Sequence, residues 1–120
     1  MPKARTRTGL ELDLEEPSVV FAADISEKDF SQMIVDLAEG LGWKVFRTWS
    51  SRHSPAGEPD LRMVHPRQKR IIWAEVKQPG GRLTPAQTAA LAILRAADAE
   101  VYTWWPKNWE EIVGILDWQE

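Results

Sequence analysis

Asp60, Glu75 and Lys77 are the residues whose types and spacing most directly suggest chemistry. Asp60 follows Pro59, and fourteen residues intervene before Glu75-Val76-Lys77. Side chains alternate faces along a strand, so Glu75 and Lys77 share one face. An acid and a base two residues apart inside an otherwise apolar strand are costly unless paired or used. Asp60 opens the preceding strand, where an antiparallel hairpin would set its carboxylate beside Glu75. Two such carboxylates repel each other unless a cation bridges them, and hard oxygen donors suit magnesium. A metal held there would bind a phosphate oxygen and lower the pKa of a bound water. Lys77 could hold or help deprotonate that water and offset charge on a pentavalent phosphorus. Glu27, on the inward stripe of a helix, could add a third carboxylate. Gln87 also faces inward, four residues before Leu91 and seven before Leu94, and could orient the water or the lysine.

Each residue has a plainer reading. Asp60 could cap the Ser-Pro-Gly loop before it. Glu75 and Lys77 could form an exposed cross-strand pair, Gln87 could be the reciprocal partner of Thr84 in a capping box, and Glu27 could complement a helix dipole. Four polar residues converging from four elements make coincidence the weaker account.

The elements that must position them follow from local pattern. Residues 1–25 read as an N-terminal arm, basic from Pro2 to Thr8. In it Leu10, Leu12 and Leu14 alternate with acids as a possible edge strand. Residues 26–120 read as a single domain. Ser26 is a good N-cap for a helix from Glu27 to Leu41, with Phe30, Met33, Ile34, Leu37 and Leu41 on one stripe and Gly42 as the stop. Strands are expected over Trp43–Trp49, Asp60–Val64 and Arg70–Lys77. Thr84-Pro85-Ala86-Gln87 opens a second helix running to Ala97. A fourth strand over Val101–Trp105 and a terminal helix over Trp109–Leu116 complete the chain. This order predicts an α/β (α+β) domain, a mixed sheet flanked by helices.

The 120 residues carry a net charge of −3, yet the charge is segregated. Between Trp43 and Arg82, nine basic residues face three acidic ones, a net of +6 that leaves −9 for the remainder. A basic middle suits a polyanion meeting one face, although a solvated basic hairpin would look the same. There is no cysteine, which excludes thiol catalysis, disulfide scaffolds and thiolate zinc sites. With only His53 and His65 available as imidazoles, a metal must rest mainly on carboxylates. No apolar run approaches the length of a membrane span, and a cytoplasmic protein is expected. Of the seven tryptophans, Trp104, Trp105, Trp109 and Trp118 crowd the C-terminal segment. They are more than a small core is expected to absorb, which points to a subunit interface.

Gly57-Glu58-Pro59-Asp60 followed by Ala74-Glu75-Val76-Lys77 resembles the PD-(D/E)xK nuclease signature. In detail the chain is similar to the virus-type replication-repair nuclease (VRR-NUC) family in its stand-alone phage or bacterial form. Ser26-Glu27 with Gln32, Gly42-Trp43, Ser51-Arg52, Gly81-Arg82-Leu83-Thr84 with Gln87, and Val101-Tyr102 with Trp104 and Pro106 carry that likeness. The chain departs from it at Ala97-Asp98-Ala99, where a glycine usually ends the second helix; Asp98 can tolerate a left-handed cap.

The resemblance implies a restriction-endonuclease-like fold and cleavage of DNA phosphodiesters with Mg²⁺ or Mn²⁺. It gives metal-binding and catalytic roles to Glu27, Asp60, Glu75 and Lys77, with Gln87 in support. Arg47, Arg52, His53, Arg62 and Arg82 are the expected DNA contacts, although His53 also reads as an ordinary loop histidine. Stand-alone members resemble Holliday-junction resolvases, so the leading expectation is a homodimeric endonuclease on branched DNA. Neither a membrane nor a nucleotide cofactor is expected. The rivals are a nuclease for flaps, single strands or duplex ends, a module that binds DNA structure without cutting, and a structural subunit docking through its tryptophan-rich end.

Overall fold

A computed structural model describes residues 4–5, 11–12, 24–48 and 55–117. Two short strands, β1 (Ala4–Arg5) and β2 (Glu11–Leu12), pair antiparallel near the N-terminus. The alternating leucines thus contribute a strand, whose partner lies in the segment expected to be an arm. Arg52, His53, Trp49 and Trp118 lie outside the described residues.

Helix α1 (Glu27–Gly40) starts where the Ser26 hydroxyl accepts the Asp29 N–H at 3.0 Å, with Glu27 and Asp29 in its first turn. Leu41 ends it, and Gly42 turns the chain at φ 98° into β3 (Lys44–Arg47). The strand starts one residue later than expected because the Trp43 N–H is taken by the Ala38 carbonyl of α1 at 3.0 Å. The Trp43 indole Nε1 donates to the Leu116 carbonyl at 2.8 Å in the core. A loop then leads to β4 (Leu61–His65), and a turn with Lys69 at φ 55° leads to β5 (Arg70–Val76).

Thr84 caps α2 (Pro85–Ala96), and Asp98 takes the left-handed position after it at φ 61°. Strand β6 (Glu100–Trp104), a 3₁₀ turn (Pro106–Asn108) and α3 (Trp109–Leu116) follow.

The main sheet has the order β3-β4-β5-β6, antiparallel across the first two pairings and parallel between β5 and β6. Parallel pairing needs a crossover, which α2 supplies. Register sorts the side chains onto two faces. Leu61, Met63, Ile72, Ala74, Val76 and Trp104 are buried on one face. They form a single core with Phe30, Ile34 and Ala38 of α1 and Ile112 and Leu116 of α3. Truncating any of the larger ones to alanine would cost about 2–5 kcal/mol.

Gln87 of α2 reaches Glu75 on the opposite face, and α2 packs against β6. That helix therefore covers the β5–β6 side, while Phe46 and Ile71, farther along the same face, stay exposed.

The tryptophans do not behave as their number suggested. Trp43, Trp104 and Trp109 are buried in the chain's own core, and Trp105 Nε1 donates to the Gly81 carbonyl at 2.7 Å. Of the four crowded residues, the three that are described are absorbed by the fold itself. His65 is also committed to structure. Its Nδ1 accepts the Gln68 N–H, which puts the proton on Nε2, 3.0 Å from the Leu41 carbonyl. No helix among the described residues is long and apolar enough to cross a membrane.

Candidate active site

The hairpin of β4 and β5 brings the two acids together. Leu61 pairs with Ala74, so Asp60, one residue earlier, lies level with the end of β5. There its Oδ2 accepts the Val76 N–H at 2.9 Å, while its carbonyl accepts the Thr48 N–H at 2.9 Å. Asp60 is therefore held by backbone on both sides. The loop leading to it is fixed by Gly57, at φ 83°. A Cβ there would stand 2.3 Å from the Ala86 carbonyl oxygen, so only glycine lets this loop lie against the start of α2.

Glu75 is only 1% exposed, in the middle of the sheet. Its Oε2 accepts Gln87 Nε2 at 2.9 Å and lies 3.8 Å from Lys77 Nζ. Its Oε1 is buried with no hydrogen-bond partner. Burial and the neighbouring Asp60 carboxylate push the Glu75 carboxyl up to about 8. Lys77 opposes that rise, and Glu27 adds to it. The Glu27 carboxyl is raised as well, by burial first and then by Asp60. Glu27, Asp60 and Lys77 thus all lie close enough for their charges to act on Glu75.

Gln87 does two jobs. Its backbone N–H donates to Thr84 Oγ1 at 3.1 Å and its Oε1 accepts the Thr84 N–H at 2.9 Å, a complete capping box. The same side chain's Nε2 donates to Glu75, so the capping reading holds and the inward-facing amide meets the acid rather than Lys77.

A cleft of about 420 Å³ opens beside the acids, lined by Glu27, Lys28, Ser31, Arg47, Thr48 and Asp60 among others. Arg47 is fixed in its wall. Its guanidinium donates to Gln32 Oε1 at 2.9 Å and to Ser31 Oγ at 3.5 Å, and Gln32 in turn donates to Asp36 at 2.8 Å. Sequence reasoning named Arg47 but missed its anchor, although Ser31 and Gln32 stand on the helix turn after Glu27. Arg62 lies on the sheet face of Glu75, opposite to that of Arg47, and Arg82 is exposed in the loop before α2; neither lines this cleft.

The donor set suits a hard divalent cation. It consists of carboxylates, and one of their oxygens is buried and unsatisfied. Among the described residues no group of three His, Asp or Glu side chains is arranged to hold an ion alone. The remaining positions would fall to water and phosphate oxygens, as is usual for magnesium.

A family model described as the VRR-NUC domain matches residues 7–104 of the chain. No curated protein and no solved structure matches it.

Proposed function

Since the chain belongs to the VRR-NUC domain family, whose members are nucleases of the PD-(D/E)xK type, we propose that it is a divalent-metal-dependent endonuclease that cuts branched DNA inside the cell. The observation that carries this reading is the meeting of Asp60, Glu75 and Lys77 at one point, with Glu75 Oε1 buried and unsatisfied. Asp60 and Glu75, with Glu27 beside them, would hold Mg²⁺ or Mn²⁺. Bound there, the ion would supply a water of lowered pKa and neutralise charge on the phosphate.

The chain's own residues do the rest. The Val76 N–H turns Asp60 toward Glu75, and Gln87 ties down Glu75 Oε2 so that Oε1 is the oxygen left to act. Lys77, held close to Glu75, would orient the attacking water and offset charge on the phosphorane. Arg47, clamped by Gln32 and Ser31, would hold its positive charge in the cleft wall for an entering phosphate. A two-fold dimer presenting two such sites would cut opposite strands of a four-way junction.

The test is cleavage of end-labelled four-way junction, flap, single-stranded and duplex DNA, with magnesium, manganese or EDTA. Lys77→Ala and Asp60→Asn are run in parallel. Cutting is expected with either metal and is lost in EDTA and in both variants. Variants that cut like the wild type would sink the assignment, and symmetric paired nicks in the junction alone would mark a resolvase.

A further inference from the structure

The sheet face turned away from α1 carries chemistry that the catalytic reading leaves unused. Register places Lys44, Phe46, Arg62, Val64, Ile71 and Trp73 on it, across β3, β4 and β5. Phe46 is 41% exposed and Ile71 54%, although both lie within the sheet. The Arg62 guanidinium sits 5.1 Å from the Phe46 ring centre and 5.5 Å from that of Trp73, and Lys44 Nζ is 5.7 Å from Phe46. The result is a ledge of two rings joined by a planar cation, with a second cation at its outer edge. Neither Lys44 nor Arg62 forms an ion pair among the described residues.

This ledge runs into the cleft. A small pocket joins Phe46, Arg62 and Trp73 to Glu58, Arg47 and Thr48, and those last two residues also line the cavity beside Asp60 and Glu27. Along the chain, Arg62 stands two residues after Asp60 and Trp73 two before Glu75. Whatever rests on the ledge is therefore continuous with what is cut.

We propose that this open face binds unpaired nucleotides of the DNA next to the scissile bond. Bases stack on Phe46, Arg62 and Trp73, and phosphates meet Lys44 and Arg62. The composition favours this occupant over a second copy of the chain. A two-fold contact would bring Lys44 and Arg62 against their own copies, with Glu58 the single acid among the described residues lining the pocket beside them. A single strand supplies both the flat bases that rings and guanidinium planes accept and the negative charge the cations lack. Paired bases in a duplex offer no exposed faces to such a ledge. The proposal rests on DNA being the substrate, and it singles out branches with an unpaired arm among the possible substrates.

The experiment uses the full chain in EDTA, so that nothing is cut. Binding is read by fluorescence anisotropy of a blunt duplex and of the same duplex with a single-stranded arm. 2-Aminopurine in the arm reports stacking. The wild type is expected to prefer the arm-bearing duplex and to quench the probe. Phe46→Ala should lose about five-fold or more in affinity for the arm, with the preference falling toward one and the quenching lost. Arg62→Ala should also lower the salt slope of arm binding by about one. Both variants are checked by thermal melting, and Phe46→Tyr, which keeps a ring, should restore the preference. Unchanged arm binding in Phe46→Ala and Arg62→Ala overturns the proposal. So does a wild-type dimer that dissociates in Arg62→Glu without any change in arm preference, since the face would then belong to a second copy. If the wild type cuts no DNA with either metal, the nuclease reading fails instead, and the two failures are told apart.

Discussion

Gln87 Nε2 lies 2.9 Å from Glu75 Oε2 while its other amide atom, Oε1, closes the cap of α2 at 2.9 Å from the Thr84 N–H. One side chain thus locks a helix terminus and orients an acid on the neighbouring strand. Any shift in the start of α2 is felt directly at the carboxylate.

The two jobs separate by mutation. Thr84→Ala removes the acceptor for the Gln87 N–H and should cost about 1 kcal/mol of stability, leaving cleavage per folded molecule close to wild type. Gln87→Ala loses the side-chain half of the capping box and also leaves Glu75 Oε2 with only the distant Lys77 as a partner. It should lower kcat by at least about ten-fold, beyond any loss of stability, since a misoriented group is costly in catalysis. Urea melts and single-turnover cleavage of both variants check this.

Glu75 gives the metal-free protein an unusual pH dependence. Its carboxyl is raised to about 8 from an ordinary 4.5, so between those values the folded state binds more protons than the unfolded one. Stability from this site is full below the lower value and falls as pH rises through the upper one. Thermal melts in EDTA should show declining stability between these limits, and Glu75→Gln should flatten the slope. Added magnesium should raise the melting temperature more at the alkaline end, where the carboxylate is free to bind it.

Gly57 is required by both its conformation and its neighbours. Alanine there would have to hold φ 83° and push against the Ala86 carbonyl oxygen, 2.3 Å from the new Cβ. Gly57→Ala should cost about 1–3 kcal/mol from the backbone strain alone. Cleavage should also fall, because the displaced loop carries Asp60. A denaturant melt and a cleavage assay at saturating DNA separate the two effects.

Glu100 lies far from the cleft and gives the opposite sign. Burial would raise its carboxyl, but hydrogen bonds from Arg70 and Tyr102 outweigh that and hold it low. Its stabilisation is present above the ordinary carboxylate value of 4.5 and is lost as pH falls through the lowered one. Glu100→Gln should cost about 1–3 kcal/mol at neutral pH and much less in acid, with cleavage by the folded protein unaffected. Melting curves at pH 7 and pH 3 provide the comparison.

Much of the arrangement was legible in the sequence because it is written in local chemistry. Ser26 and Thr84 announce their helices through hydrogen bonds only a few residues long. The alternation in Arg70–Val76 puts Glu75 opposite the apolar residues 72, 74 and 76. What stayed hidden depends on pairing between distant segments. Nothing local says that Arg47 would lean back onto Gln32 of α1, or that Trp104 and Trp109 would fit inside rather than outside. The basic ledge is the instructive case. Lys44-x-Phe46 and Arg62 each alternate correctly, but only the register of β3, β4 and β5 stacks them into one surface. The sequence reading named Arg62 only as a DNA contact and gave Trp73 no particular role.

The chain order of the sheet also implies an order of assembly. β4 and β5 are joined by a four-residue turn and can pair at once, whereas β6 must wait for α2 to cross over before its parallel pairing forms. The two acids would therefore face each other early, before Gln87 arrives to partner one of them. Pulsed hydrogen exchange should protect the amides of β4 and β5 ahead of those of β6. Protection of β6 first would show that the crossover, not the hairpin, nucleates the sheet.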